Sequence, residues 1–436
     1  MAIDENRSLW ATYTPDYQAG PPLRQSITAD LAIIGGGFTG VSTAYHFSRR
    51  YPEKKVVLLE AKSLANGASG RNGGMMLNWV YGVEHPTPET IKGIYEATSG
   101  AIAMILDIIR EHQLAVSYRQ DGCLEVKTTP ESAEAAHAET EMLNQLGIPV
   151  QYLDTAALRG KIELDNVYGA MFDPSEGQLN GAQFIRALRP VLVEQGVEIY
   201  EQTPVLKVKE GAEVVLTTPQ GEVKAKAIVL ATNGYTGKLG YFRKAIFPLH
   251  SHVFATAPLS AEQQAALGWH SAAAYADDVN RISYSSRTPE GHIVFGGGSN
   301  ASYDYRFNNG TAYPNRIDRA VQAMQQTMAG YLPKSQQVPI AHRWTGTLAI
   351  SFRRNCSVGV MGENRNVYYG LGYSGHGVVM ANLAGKVITD IYSGDDEQWR
   401  GLPFYQASFA PIPLEPFRWM GYQLFTRLTG RSPRLG

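Results

Sequence analysis

Cysteine is nearly absent from this chain: Cys123 and Cys356 are the only two in 436 residues, far apart and outside any CxxC spacing. That excludes a disulfide framework and a cysteine-held metal, and it suits a reducing compartment. No sign of charge dominates, with 39 Lys and Arg against 40 Asp and Glu and a net charge of -1. A protein that binds duplex nucleic acid carries a clear basic excess, so nucleic acid is not expected as a partner. Long apolar runs are missing too. The most apolar helical stretch, residues 100–114, is interrupted by Asp107, Arg110 and Glu111, which makes it too short and too charged to cross a bilayer. The N-terminus, MAIDENRSLWATYTPDY, opens on acidic and polar residues where a secretory signal needs a basic segment followed by an apolar one. No repeat of fixed period, low-complexity tract or charge block occurs. A cytoplasmic protein without a metal site is the expectation.

What is present is ordinary globular composition, 44% hydrophobic and 18% charged. The length exceeds what one hydrophobic core usually supports, so two domains are expected, one of them discontinuous. Asp30 to Ile34 is a short apolar run ending in glycines, Gly40 to Arg50 has helical spacing, and Val56 to Glu60 reads as a second buried strand. This strand, turn, helix, strand unit begins a doubly wound parallel sheet. Helices are expected at Pro88 to Leu114, Pro130 to Leu146 and Gly181 to Gln195, with strands at Cys123 to Lys127, Val197 to Tyr200, Val205 to Lys209, Val214 to Thr218 and Ile228 to Ala231. Between Phe247 and Phe295 the pattern turns alternating and aromatic, as in the antiparallel strands of a second sheet.

Gly35, Gly37 and Gly40 form GxGxxG between the first strand and the helix. The first glycine permits a tight turn, the second lets backbone approach a pyrophosphate, and the third allows close packing of helix on sheet. The helix start offers unpaired N–H groups and a positive dipole end. Glu60 closes the second strand about twenty residues on, where a carboxylate accepts from ribose hydroxyls. It would repel a 2′-phosphate, which leaves NAD or FAD.

GASGRNGGMM, Gly67 to Met76, decides between them. A nicotinamide has no obvious need of a second glycine cluster here, whereas the broad flat ring of a flavin must lie against bare backbone. Ser69, Arg71 and Asn72 are expected to donate to pyrophosphate and ring, with Gly73 and Gly74 keeping Cβ atoms away from it. The competing reading, a loose surface loop, fits poorly with Met75, Met76, Leu77 and Trp79 following at once. A third cluster, GLGYSGHGVV from Gly370 to Val379, precedes a helix whose N-terminus can face a ring that gains negative charge on reduction. A fourth, ATNGYT from Ala231 to Thr236, ends a strand.

IIGGGFTG, LLEAKSLANGASGRNGG, ATNGYT, HRWTGT and YYGLGYSGHGV occur in an order and spacing that resemble the D-amino-acid oxidase (DAO) superfamily of FAD-dependent oxidoreductases over nearly the whole chain. Within it they are similar to the gamma-glutamylputrescine oxidase-like branch. The resemblance implies an α/β, glutathione-reductase-like FAD-binding fold (residues 26–82, 176–236 and 340–395) interleaved with a mixed-sheet substrate domain (83–175 and 237–339) and an amphipathic tail (396–436). It implies an amine C–H giving hydride to FAD, with hydrolysis of the imine. The expected cofactor contacts are Gly35, Gly37, Phe38, Thr39 and Gly40; Glu60 and Ala61; Ser69, Arg71, Asn72, Gly73, Gly74 and Met75; Val205; Thr232, Asn233 and Gly234; and Gly372, Ser374, Gly375, Gly377 and Val378. Tyr373, Trp344 and His376 are the side chains expected nearest the ring. Each has a plainer reading: Trp344 as core filling and His376 as a brace within its loop. Arg343, expected at either substrate or flavin, has a surface ion pair as its alternative; Arg343 or Arg353 is the residue expected to hold a distant carboxylate at the far end of a long substrate.

Three departures from relatives sharpen the expectation. Some tether FAD through a cysteine about thirty residues before the motif histidine, where Trp344 to Thr347 stand here; Cys356 lies too near it, so non-covalent FAD is expected. Sarcosine oxidase-like members hold a substrate carboxylate with a lysine just after the His-Gly pair, where Val378, Val379 and Met380 stand. Their oxygen-activating lysine has no counterpart between Phe295 and Tyr305, which leaves oxygen or a quinone as acceptor. An extended amine is the expected substrate. An amino-acid dehydrogenase serving a membrane quinone, and a subunit with structural FAD, are the alternatives. In the tail, Phe417, Met420, Leu424 and Leu428 share a helical stripe flanked by Arg418, Arg427, Arg431 and Arg434. That suits docking on protein or peripheral contact with the inner face of the membrane.

Overall fold

The computed structural model describes residues 7–307 and 314–429. Strand Ile27–Ile34 lies at the centre of the first sheet, its second half buried on both faces because parallel neighbours are themselves covered by helices. It pairs in parallel with Val56–Leu59 on one edge and with Gly221–Leu230 on the other. Glu198–Tyr200 extends the sheet beyond Val56–Leu59. On the far side, Gly221–Leu230 meets Val214–Thr218 antiparallel through its first half and Val367–Leu371 in parallel through its last residues. Ser357–Met361 follows as an antiparallel neighbour.

The strand expected to begin at Ile228 begins at Gly221. Its first half alternates, with Val223 and Ala225 buried and Glu222, Lys224 and Lys226 exposed, so charged residues hide a half-solvated strand from a search for apolar runs. Helix Phe38–Arg50 follows the first glycine turn. Helix Gly377–Ser393 crosses it closely: a Cβ on Gly385 would lie 2.4 Å from both Ser42 Oγ and Thr43 N. Pro88–Glu111, capped by the Thr87 hydroxyl, buries Ile94, Ile102 and Ile105 in the same core.

The second sheet is mixed. Ile246–Thr256 carries Ile293–Gly297 and Tyr303–Asp304 along one edge. From Ile293–Gly297 the order runs through Ser283–Arg287, Ala274–Asp277, Cys123–Lys127 and Gly169–Asp173 to Gln151–Leu153. Only the step from Ala274–Asp277 to Cys123–Lys127 is parallel. The other edge of Ile246–Thr256 is filled by Ile340–Ser351, in register from Ile246 opposite Ser351 to Thr256 opposite Ile340. Residues 340–351, expected in the FAD-binding segment, therefore pair in the second sheet, and the chain re-enters the first only at Ser357.

Helix Phe417–Leu428 packs Tyr422 against Tyr305, with ring centroids 5.6 Å apart, and leaves Phe417, Met420, Leu424 and Leu428 exposed. Arg418 donates to the Arg243 carbonyl at 2.8 Å, and Arg427 is exposed. Arg431 and Arg434 lie outside the described residues. No helix among the described residues is long and apolar enough to cross a membrane.

The contact at Gly385 is with backbone as well as side chain, so Gly385→Ala must push the two helices apart. A loss of about 1–3 kcal/mol in unfolding free energy is expected, read from urea denaturation of the purified protein.

Candidate flavin site

The three glycines of the first turn do different work. Gly35 holds φ +112°, and a Cβ there would lie 2.6 Å from the Ala231 carbonyl oxygen. At Gly40 a Cβ would meet the Gly35 carbonyl oxygen at 1.9 Å, so the helix can lean on the turn only without one. Gly37 has φ −91°, which any residue adopts. A Cβ there would touch only Ser69, at 2.7 Å from Oγ, so it keeps open the space in front of the helix start. Phe38 N donates to Ser69 Oγ at 3.0 Å, and the Thr39 hydroxyl lies 2.7 Å from that of Tyr373.

Glu60 sits where the second strand ends. Its carboxylate accepts from Gly36 N at 2.8 Å and Lys62 N at 2.9 Å. Burial pushes its pKa up, against the pull of these donors and of Ala61 N. Thr203 N donates to the Glu60 carbonyl and Gln202 N to that of Lys62, which brings the partly buried Val205 to the same wall.

The second glycine cluster is a braced structure. Asn72 Oδ1 accepts from Gly74 N at 2.7 Å while its Nδ2 donates to the Ser69 carbonyl at 2.9 Å. Arg71, 8% exposed, donates through Nε to the Asn66 carbonyl at 2.8 Å and through Nη1 to that of Thr345 at 3.1 Å. Trp344 returns the contact, its Nε1 donating to the Arg71 carbonyl at 2.9 Å. The side chains of Ser69, Arg71 and Asn72, expected as cofactor donors, are thus engaged within the protein. Gly73 faces Tyr284 of the second sheet, where a Cβ would lie 2.6 Å from the ring; Gly74 takes φ +77°, and Met75 enters a short strand.

The third cluster turns through Gly372 (φ +81°), Ser374 (φ +50°) and Gly375 (φ +106°) before Gly377 and Val378 begin the helix. Ser374 N donates to the Ala349 carbonyl at 3.1 Å. His376 occupies the N-cap position without a capping hydrogen bond from its side chain, and its ring centroid lies 3.9 Å from that of Tyr81. Tyr373 is buried, its phenol pKa raised by desolvation, and its bond to Thr39 joins this cluster to the first turn. Trp344 is fully buried and belongs to the core. In the fourth cluster the Thr232 and Thr236 hydroxyls meet at 2.9 Å, and a Cβ on Gly234 would lie 3.0 Å from the Leu348 carbonyl oxygen. Asn233 holds φ +39°, and its Oδ1 is buried without a hydrogen-bond partner among the described residues.

These residues fit a dinucleotide ending in a flat ring: a clear space before a helix N-terminus, a carboxylate at a strand end, bare backbone in a fixed loop and an orphan acceptor beside the turn. Arg343 and Arg353 do not take part; both are exposed, Arg343 paired with Asp318 and Arg353 lying 3.8 Å from Glu84. The Cys356 thiol is buried and pushed up to about 12, and Cys123 is likewise raised by burial. A groove lined by His46, Arg49, Lys386 and Asp390 lies on the later turns of the two crossing helices, about 12–20 Å of helix beyond the glycine turns. Among the described residues no group of three or more His, Cys, Asp or Glu could hold a metal. Tyr284 and Tyr81 were not expected here: Tyr284 belongs to the second sheet and meets Gly73 only once the strands have paired, and Tyr81 follows the second cluster and packs on His376.

Such a site defines a dinucleotide-binding flavoprotein. Residues 30–391 match the family described as DAO, FAD dependent oxidoreductase, and the chain belongs to that family. It is 28% identical over 95% of its length to the gamma-glutamylputrescine oxidoreductase of Escherichia coli strain K12, covering 93% of that protein. It is 27% identical over 87% of its length to a probable oxidoreductase, OrdL, of Haemophilus influenzae, covering 86% of it. Its fold matches the crystal structure of glycine oxidase from Geobacillus kaustophilus with a TM-score of 0.74 at 19% identity, over 87% of this chain and 98% of the other. The expected fold class and the FAD cofactor stand: the protein is an FAD-dependent oxidoreductase.

Because Gly37 meets only a serine side chain, Gly37→Val is expected to fold and to purify without flavin. Its far-UV circular dichroism should match wild type while absorbance near 450 nm is lost; a full flavin complement would remove Gly37 from the site.

Proposed function

We propose that this protein oxidises a C–N bond of an extended amine carrying a polar group far from the reacting carbon. Bound FAD supplies the hydride acceptor. The amine is bound neutral, so no strong base is required of the chain; its part is to orient the reacting carbon and exclude water. The resulting imine adds water and splits into an aldehyde and the released amine or ammonia. Oxygen or a quinone serves as the acceptor of the second half-reaction.

One observation carries this reading. The helix that starts at the third glycine cluster opens with Gly377, Val378, Val379 and Met380, the last three buried, and offers no cation beside the place assigned to the ring. A small α-amino acid would have to bring its carboxylate there unpaired, at a cost of several kcal/mol. The methylene chain of an alkylamine suits the same apolar wall. The likeness to a gamma-glutamylputrescine oxidoreductase, whose name describes an amine with a distant polar end, supports the reading.

In anaerobic stopped-flow reduction, amines with a remote polar group should bleach the flavin faster, per unit concentration, than sarcosine, glycine or proline. A small α-amino acid ahead by about tenfold, worth roughly 1.4 kcal/mol in the transition state, would overturn the substrate reading. Since both thiols are buried and neither cysteine stands in the glycine clusters, acid precipitation is expected to leave FAD in the supernatant. Yellow colour kept by the pellet would show a covalent link.

A further inference from the structure

Helix Phe417–Leu428 lies on the protein the wrong way round. Phe417, Met420, Leu424 and Leu428 have the i, i+3, i+7, i+11 spacing of a single helical face. On an ordinary surface helix such a face turns to the core. Here the four side chains are 69%, 55%, 59% and 76% exposed, Phe425 is 51% exposed beside them, and no residue of the helix is buried. The opposite side, with the half-buried Arg418, Tyr422 and Thr426, is the one that meets the protein.

The body of the protein holds the helix in this attitude along its length. At the start, Arg418 donates through Nε to the Pro413 carbonyl at 2.9 Å and through Nη2 to that of Arg243 at 2.8 Å, while Glu415 accepts from the Tyr305 hydroxyl and from Trp419 N. In the middle, the Tyr422 ring packs on those of Tyr305 and Phe247, with centroids 5.6 Å and 6.4 Å away. At the end, where helix carbonyls lack partners, Asn300 Nδ2 donates to the carbonyls of Thr426 at 2.9 Å and Thr429 at 2.8 Å. Arg281 reaches Thr429 Oγ1 at 3.4 Å with its guanidinium 5.0 Å from the Phe425 ring centroid, a cation placed where the helix dipole favours one. The helix is thus pinned by its polar side, and the apolar stripe is fixed facing outward.

Charge decides what covers the stripe. Among residues 401–436 Glu415 is the only acid, against Arg418, Arg427, Arg431 and Arg434. The segment also runs beside the exposed Arg243 and Lys244, whose carbonyls accept from Arg418 and from Ile412 N. Trp419, its ring centroid 6.5 Å from that of the exposed Phe307, adds aromatic groups of the kind that settle at a lipid headgroup boundary. Two other coverings fit less well. Residues 430–436 bring a single large apolar side chain, Leu435, too little for the stripe. A second copy meeting this one face to face would set arginines against arginines, with only Glu415, already bonded, to answer them. We propose that this face docks the protein on a membrane surface rich in anionic phospholipid, with Phe417, Met420, Leu424 and Leu428 entering the acyl boundary and the arginines meeting headgroup phosphates. A helix of 12 residues, about 18 Å long, lies in the plane of that surface and is too short to cross it. The docking is independent of which amine is oxidised.

Co-sedimentation of the holoenzyme with vesicles tests this. Vesicles of phosphatidylethanolamine and phosphatidylglycerol should carry the protein down, vesicles of phosphatidylcholine alone should bind it at least about tenfold more weakly, and added salt should release it from the first. Met420→Glu combined with Leu424→Glu, at two exposed positions, should lower the partition coefficient on anionic vesicles at least about tenfold while flavin content and unfolding midpoint stay at wild type. Arg427→Gln should lower it about fivefold on anionic vesicles and leave phosphatidylcholine binding unchanged. Both native thiols are buried, so an environment-sensitive dye on Met420→Cys reports the contact directly, and its emission should move to the blue on anionic vesicles. Absence of sedimentation with anionic vesicles, or equal partition of wild type and the double variant, overturns the docking. Sedimentation velocity supplies the remaining outcome: a wild-type dimer that the double variant converts to monomer, with no vesicle binding by either, assigns the face to a second copy and overturns the membrane.

Discussion

The site depends on a reciprocal clasp. Trp344 donates its indole N–H to the Arg71 carbonyl, and Arg71 donates its guanidinium to the carbonyl of Thr345, the next residue along the strand. Both side chains are buried, so neither hydrogen bond can be exchanged for water, and breaking one leaves a polar group stranded at a cost of about 1–3 kcal/mol or more. The clasp joins a loop of the first sheet's domain to a strand of the second. It fixes how far the glycine loop stands from the face that carries Tyr284. A bare backbone presents a flat surface only if it is held still, and here the flatness comes from glycine while the stillness comes from Arg71, Asn72 and Trp344.

A division of labour of this kind runs through all four clusters. Gly35 is demanded by its positive φ and by backbone contact and Gly40 by backbone contact, whereas Gly37 has an ordinary φ and its Cβ would press only on the Ser69 side chain. Ser374 and Asn233, non-glycine residues with positive φ, stand in these clusters. Ser374 is held by its backbone N–H, which donates to the Ala349 carbonyl of strand Ile340–Ser351.

Much of the first sheet was legible in the sequence, because several of its strands contain short β-branched or apolar runs bounded by glycine or turn residues, as in Val56–Leu59 and Val214–Thr218. The first half of Gly221–Leu230 was hidden by its lysines and glutamate. The clusters around Gly35, Gly73, Asn233 and Gly375 were legible as motifs, although the sequence could not tell which side chains face outward and which brace the loop. Ser69, Arg71 and Asn72 illustrate this: their chemistry suits either role, and in the structure Arg71 and Asn72 donate to backbone carbonyls while Ser69 Oγ accepts from Phe38 N. Arg343 and Arg353 drew attention by lying near a motif, yet period-2 alternation and an exposed loop turn them to solvent.

The pairing of Ile27–Ile34 has a consequence for how the protein is made. Its first neighbour, Val56–Leu59, leaves the ribosome soon after it, but its second is Gly221–Leu230, and the sheet is closed only by Val367–Leu371. At about 5–20 residues per second, the first strand waits on the order of ten to forty seconds for that second neighbour. Through this interval an apolar strand has one open edge, the condition that invites aggregation and chaperone binding. The last glycine cluster, Gly372 to Gly377, emerges later still. A site built from all four glycine clusters is therefore complete only once Gly372 to Gly377 has emerged and Val367–Leu371 has joined the sheet.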